Sequence, residues 1–199
     1  MSDPGRVEVT GIARVLRERR TVHEFTSRPP PVEIITQAIE TARWAPNHHR
    51  TEPWHFYLLD RNTGIRVANL NSAMLIKSKG KKIAEIKRKR WSEMPGWLVV
   101  SCLRSADAVR AREDYAACAC AIQNMSVYLW EQGIGVKWTT GDVTRDARFF
   151  DIVGMDYEAV YVVGLFWYGF PASIPTQHRK PVDEILSHVV TASIDQSSG

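Results

Sequence analysis

The chain has 199 residues, 44% hydrophobic and 24% charged, the balance of a single globular domain long enough to bury a core. Seven tryptophans within a 10% aromatic content exclude a disordered chain, and the longest apolar run, Trp97 to Cys102, is far too short to span a bilayer. The net charge of +4 is local: Lys77 to Arg90 carries eight basic residues against the single acid Glu85, leaving the remainder of the chain net acidic, so the composition as a whole argues weakly for nucleic acid.

Asp3, Arg6 and Glu8 open the chain with no apolar stretch behind them, so no secretory signal and a cytoplasmic location are expected. Thr10 is placed to cap a helix whose shared face is Ile12, Val15 and Leu16, and this helix runs into the cations Arg17 to Arg20. An extended segment is expected from Thr21 to Phe25. The prolines 29 to 31 form a stiff joint, with Pro31 in the first turn of a helix bearing Ile34, Ile35, Ala38, Ile39 and Ala42 and stopped by Pro46. Trp54 to Leu59 and Trp97 to Leu103 read as strands. A long buried central helix is expected from about Asp107 to Gln132, ended by Gly133. Gly135 to Thr139 reads as a short strand, Val143 to Val153 as a helix and Ala159 to Trp167 as a last strand, with a polar tail from Ser193 to Gly199 that is expected to fray. Interleaved helices and strands give an α/β or α+β single domain over residues 1–199.

Cys118 and Cys120 lie two apart on a helix and so face different ways. They and the third cysteine, Cys102, are expected to be free thiols, and no metal site is expected from them or from His48, His49 and His55. Four other segments have no evident packing rationale. In an extended Arg19 to Phe25, period two puts Arg19, Thr21 and His23 on one side, a convergence of guanidinium, hydroxyl and imidazole that suits a phosphate. The same cations also suit a solvated helix end, whose dipole they complement. Ala45 to Phe56 is a loop bracketed by prolines and dense in hydrogen-bonding side chains. Gly133 to Asp142 lacks the third glycine of a dinucleotide fingerprint, yet its small residues after a strand let a flat ring approach the backbone. His178 to Pro181 places two cations before a proline. No nucleophile elbow, Walker A loop or H-E-x-x-H helix is present in the sequence. Chemistry is therefore expected to come from a cofactor.

Taken in order, these segments resemble the nitroreductase family of flavin-dependent oxidoreductases, from about Ile12 to Val189. Arg19-Arg20-Thr21-Val22-His23-Glu24-Phe25 is similar to that family's R-R-S-x-R-x-F segment, and Ala45-Pro46 through Pro53-Trp54-His55-Phe56 to its A-P-S…Q-P-W-x-F loop. Thr51 to Trp54 and Arg179 to Ile185 are most similar to the iodotyrosine deiodinase branch, and Ala45 to His48 to short bacterial nitroreductases. The resemblance implies an α+β fold, a three-layer α/β/α sandwich around a mixed, mainly antiparallel sheet with a long central helix. It implies a homodimer with FMN at its interface, and ping-pong hydride transfer from NADH or NADPH through flavin N5 to a small electron-poor molecule such as a nitroaromatic or a quinone. Carried over by position, Arg19, Thr21 and Arg179 would hold the phosphate with Arg20 nearby. Pro46, Asn47 and His48 would come from the partner subunit to cover the ring, and Thr139, Thr140 and Gly141 would lie along it, with Thr140 the catalytic hydrogen-bond donor at N5. His23 stands where the family usually has an Arg or Lys near flavin N1 and O2. Residues from about 70 to 95, with Ile83, Ile86 and Trp91 as an apolar face, fall in the family's variable lid, which lacks the deiodinase pattern here. Residues from about 172 to 199 form a C-terminal extension. The alternative is a binding protein that carries flavin without turnover or uses Lys77 to Arg90 on nucleic acid.

Overall fold

The computed structural model describes residues 11–189; Thr10 and the tail from Ser193 lie outside the described residues. The chain runs α1 (Gly11–Glu18), α2 (Val32–Ala42), β1 (Trp54–Leu59), α3 (Arg61–Lys79), α4 (Lys81–Ser92), β2 (Trp97–Leu103), α5 (Ala108–Glu131), β3 (Gly135–Thr139), α6 (Ala147–Val153) and β4 (Val160–Gly169). The strands form one antiparallel sheet in the order β1-β2-β4-β3. Among the described residues, a parallel contribution comes only from an isolated bridge between Thr21 and Val136, the remnant of the mixed sheet expected.

Alternation along β2 sorts two cores. Leu98, Val100 and Cys102 pack with α2 and α5, whose contributions include Ile35, Ala38, Ala42, Ala121, Ile122, Met125 and Leu129. Trp97 and Val99 turn the other way, onto Val67 and Leu70 of α3, Trp91 of α4 and Phe149 and Phe150 of α6. Helices thus cover both faces of the sheet, giving the three layers of an α+β sandwich. Residues spaced by three and four make the buried stripe of α5, from Ala117 and Cys118 to Leu129. Its start is set by Asp107, whose carboxylate accepts from the amides of Val109 and Arg110 at 2.8 and 3.1 Å. Cys118 is buried and Cys120 exposed, as their spacing requires, and all three cysteines are free. No helix among the described residues is long and apolar enough to cross a membrane.

Three elements differ from the sequence expectation. Helix α3 has no clear apolar stripe because its buried side includes Gly64, Ala68, Asn71 and Ser72. The expected single helix from Val143 to Val153 is split: a 3₁₀ turn ends at Arg145 and Asp146 caps α6 afresh. The region expected as a lid is a helical hairpin of α3 and α4 about Gly80, tied by Ser72 Oγ donating to Ala84 O at 3.2 Å. Leu70, Ala84, Trp91 and Met94 are buried, whereas Ile83 and Ile86 face outward. The apolar face expected of those two isoleucines is therefore not the packed face of α4.

Candidate functional site

Residues 19–25 are held against the β3 edge by Val22, which is fully buried. Its amide donates to Val136 O at 3.1 Å, and its side chain fills the space where a Cβ on Gly135 would stand. With Val22 inward, Thr21 and His23 are exposed on the opposite side, the alternation expected of an extended segment. Arg19 is half-buried, and its Nε is buried without a hydrogen-bond partner. Burial first, then the neighbouring charges of Arg179 and Arg20, pull its guanidinium below the ordinary arginine range. Arg179 thus arrives from the far end of the chain as a close electrostatic neighbour of Arg19. Arg20 turns back on its own backbone, with Nη1 donating to the carbonyls of Arg17 and Arg19 at 2.6 and 2.9 Å. A buried donor left unpaired among like charges is costly unless an anion completes it.

A second group of cations lies at the other end of the segment. Arg90, in the last turn of α4, donates from Nη2 to His23 O at 3.0 Å. Lys137 of β3 is half-buried, with Nζ 5.1 Å from the centroid of the Trp167 ring. Burial, then Lys137, then Arg90 lower the His23 imidazole below its usual value, with Glu24 opposing. Burial, then Arg90 and Lys87, lower Lys137 in turn. Glu24 accepts from Ser173 Oγ at 3.1 Å. Along β3, Lys137 and Thr139 share one side by period two. Just beyond the strand, Thr140 is exposed and a Cβ on Gly141 would meet nothing within 4 Å, so the backbone there is open to a flat group.

Pro46, Asn47 and His48 belong to a different region. His49, Arg50 and Glu52 have φ of 63, 52 and 44°, left-handed conformations that cost non-glycine residues about 1–3 kcal/mol each and gather at functional sites. The loop is stabilised by Asn47, whose Oδ1 accepts from Glu52 N at 2.7 Å and whose Nδ2 donates to Thr51 Oγ1 at 3.0 Å. Thr51 Oγ1 donates to the buried carboxylate of Asp114 on α5. His48 Nε2 stands 4.0 Å from Glu113 near the start of α5, and His48, His49 and Glu113 each bring one potential ligand atom within 4.8 Å of the others on an open surface. Arg14 of α1, by contrast, pairs with Glu131 at the other end of α5. Eighteen residues of helix separate Glu113 from Glu131, roughly 27 Å at 1.5 Å per residue. One chain therefore brings Arg19, Thr21, His23 and Arg179 to one end and keeps Pro46 to His48 at the other.

The sequence pattern of the family described as "Nitroreductase family" matches residues 16–169. The chain belongs to the nitroreductase family. YfhC of Bacillus subtilis (strain 168), named as an NAD(P)H nitroreductase, is 32% identical over 176 residues, 84% of this chain and 89% of that protein. Among solved structures, a nitroreductase-like family protein from Bacillus cereus superposes with a TM-score of 0.78 at 27% identity, over 93% of this chain and 99% of the other. The FMN- and NADPH-dependent nitroreductase NfnB from Sphigopyxis sp. strain HMH shares the fold, with a TM-score of 0.73 at 16% identity over 92% and 100% of the two chains.

In this member of the family, sequence reasoning missed Lys137 and Arg90 as individual members of the candidate site. Lys137 carried a signal, since a lysine within a short strand between Val136 and Trp138 shares a side with Thr139. Arg90 closes the basic Lys77 to Arg90 segment, and only the packing of α4 singles it out by bringing it to His23.

Proposed function

We propose that this nitroreductase-family protein is an FMN-dependent NAD(P)H oxidoreductase of the cytoplasm that reduces small electron-poor organic molecules, nitroaromatics or quinones, by a ping-pong cycle. The observation that carries this reading is the buried, unpartnered Nε of Arg19 between two further guanidinium groups, on the segment where the family resemblance puts the FMN phosphate. Arg19, Thr21 and Arg179 would hold that phosphate, and the open backbone at Gly141 fits the approach of the isoalloxazine. Bound FMN would supply two-electron hydride chemistry at N5, with a nicotinamide as donor. Thr140 is assigned the hydrogen bond to that edge, positioned by the end of β3. Thr139 lies beside it and is half-buried.

Pro46, Asn47 and His48 are assigned to the ring bound mainly by a second copy of the chain, which makes the working form a homodimer. Their distance along α5 from the Arg19 end supports two chains per site. Asn47 acts there through the loop, since both ends of its amide are engaged within it. Pro46 and His48 are exposed, as covering a ring requires.

The test is the visible spectrum of the purified protein before and after anaerobic NADH or NADPH. A flavin absorbance near unit occupancy that bleaches with either donor and returns on adding a nitroaromatic or quinone is expected. A colourless protein that also refuses added FMN overturns the reading, and a flavin that no donor bleaches leaves a carrier in place of an enzyme.

A further inference from the structure

The cations around His23 exceed what the fold needs. Lys137 Nζ has no acidic or hydrogen-bonding partner among the described residues, and it lies over the Trp167 ring. A half-buried cation held without a counter-charge is destabilising. Two like charges of α4, Arg90 and Lys87, bear on it, and the one acid of the neighbouring segment, Glu24, is bonded to Ser173. The groups facing His23 are Lys137 from β3, Arg90 from α4 and Glu24 from its own segment. Two of these three are permanent cations.

We propose that Lys137, with Arg90 bracing the backbone of His23, is the permanent positive charge for the N1–O2 edge of the flavin ring, replacing a cation at position 23. The inference rests on the FMN reading above. Its geometry has three parts. The Thr21–Val136 bridge fixes residue 23 beside β3. The bond from Arg90 to His23 O pins the segment from the α4 side at 3.0 Å. Lys137 points to the same side of β3 as Thr139, where the open backbone at Gly141 follows. Burial and the neighbouring cations disfavour a charged imidazole at His23, so His23 serves as a polar neighbour while Lys137 holds the charge. Negative charge gathers at N1 and O2 when flavin is reduced, and a cation within a few ångströms favours the charged form by roughly one to three powers of ten.

The experiment uses the full-length FMN-loaded protein and three variants, Lys137→Met, Lys137→Arg and His23→Gln, followed by spectroelectrochemical potential and by sulfite titration, whose adduct at N5 needs the same charge. Lys137→Met is expected to keep FMN, since the phosphate contacts are untouched. Its ratio of reduced to oxidised FMN affinity should fall at least about tenfold, a potential about 30 mV lower for a two-electron couple. Sulfite affinity should fall by a similar factor. Lys137→Arg should restore both, and His23→Gln at pH 8 should move either by far less than Lys137→Met does. Lys137→Gln is the second variant if methionine disturbs Trp167. In the flavin-free protein, the His23 imidazole followed by NMR should titrate below its ordinary value and move upward in Lys137→Met. Superimposable potentials for wild type and Lys137→Met, or a drop produced by His23→Gln instead, would overturn the inference and leave the FMN site standing. A wild-type protein that takes up no FMN overturns the reading of the whole site.

Discussion

Arg19 and Arg20 are adjacent in sequence and differ in what their charges are free to do. Arg20 spends Nη1 on two backbone carbonyls, and Arg19 keeps a buried Nε with no partner. Replacing Arg19 or Arg179 by alanine should therefore weaken FMN binding by the value of one charge-assisted contact, about 1.5–3 kcal/mol, or roughly 10- to 150-fold in Kd. Arg20→Ala should weaken it less and act through the stability of the α1 end. Fluorescence titration of the flavin-free protein with FMN checks the order; equal losses at all three positions would contradict it. Glycine provides a matched pair of tests. At Gly141 a Cβ meets no atom of the chain, so Gly141→Ala should unfold within about 0.5 kcal/mol of wild type yet bind FMN more weakly, because the new methyl occupies the face left open for the ring.

The segment from Arg19 to Phe25 works as an element only while Val22 seats on Gly135. A Cβ at Gly135 would overlap the Val22 side chain and crowd Pro171, so Gly135→Ala should cost about 1–3 kcal/mol by overpacking and should release FMN as well, since both cation groups hang on that segment. Urea unfolding together with flavin retention separates this from Gly141→Ala, where only retention changes. At α6, the Asp146 carboxylate accepts from Arg148 N at 3.0 Å and pairs with the Arg148 side chain at 2.7 Å. The Arg148 side chain first, and then its amide and charge, hold Asp146 down from 3.8 to about 2. A carboxylate depressed in the folded state stabilises it above the unfolded value and loses that contribution as pH falls through the folded one. Asp146→Ala should therefore cost about 1 kcal/mol at pH 7, with the gap to wild type closing between about pH 4 and pH 2. A gap that persists unchanged at pH 2 would mean that the ionised carboxylate is not what Asp146 contributes to α6.

At the scale of the whole molecule, apolar side chains are left in the open where the proposed second copy could cover them. Ile12 and Leu16 of α1 are 71% and 47% exposed, and Ile185 and Leu186 of the C-terminal extension 72% and 53%. The two α1 residues border a groove of about 580 Å³ that runs past Thr41 and Tyr128. Exposure on this scale fits the apolar interfaces of obligate dimers. Sedimentation equilibrium should give an FMN-loaded dimer, and the paired substitution Ile185→Asp with Leu186→Asp should give a monomer that has lost its flavin. A stable monomer that retains FMN would show that one chain completes the site alone.

Local pattern was enough to place β1, β2 and β3 at their observed ends and α5 within a residue of them, because each is a run of apolar residues at one period bounded by proline, glycine or a capping aspartate. It also placed Thr21 and His23 on the outer side of an extended segment, since alternation is a property of the backbone. Helix α3 stayed hidden because its inward side mixes Val67 and Leu70 with glycine, alanine, asparagine and serine, whose burial depends on the tight approach of neighbouring elements. Only the tertiary structure decided which charges meet. Arg179 reaches Arg19 from 160 positions away, Arg90 reaches His23 through the packing of Trp91 and Ala84 in α4, and Lys137 becomes their neighbour because Val22 docks on Gly135. Periodicity states which way a side chain faces; what it faces is set by contacts between segments that no local pattern contains.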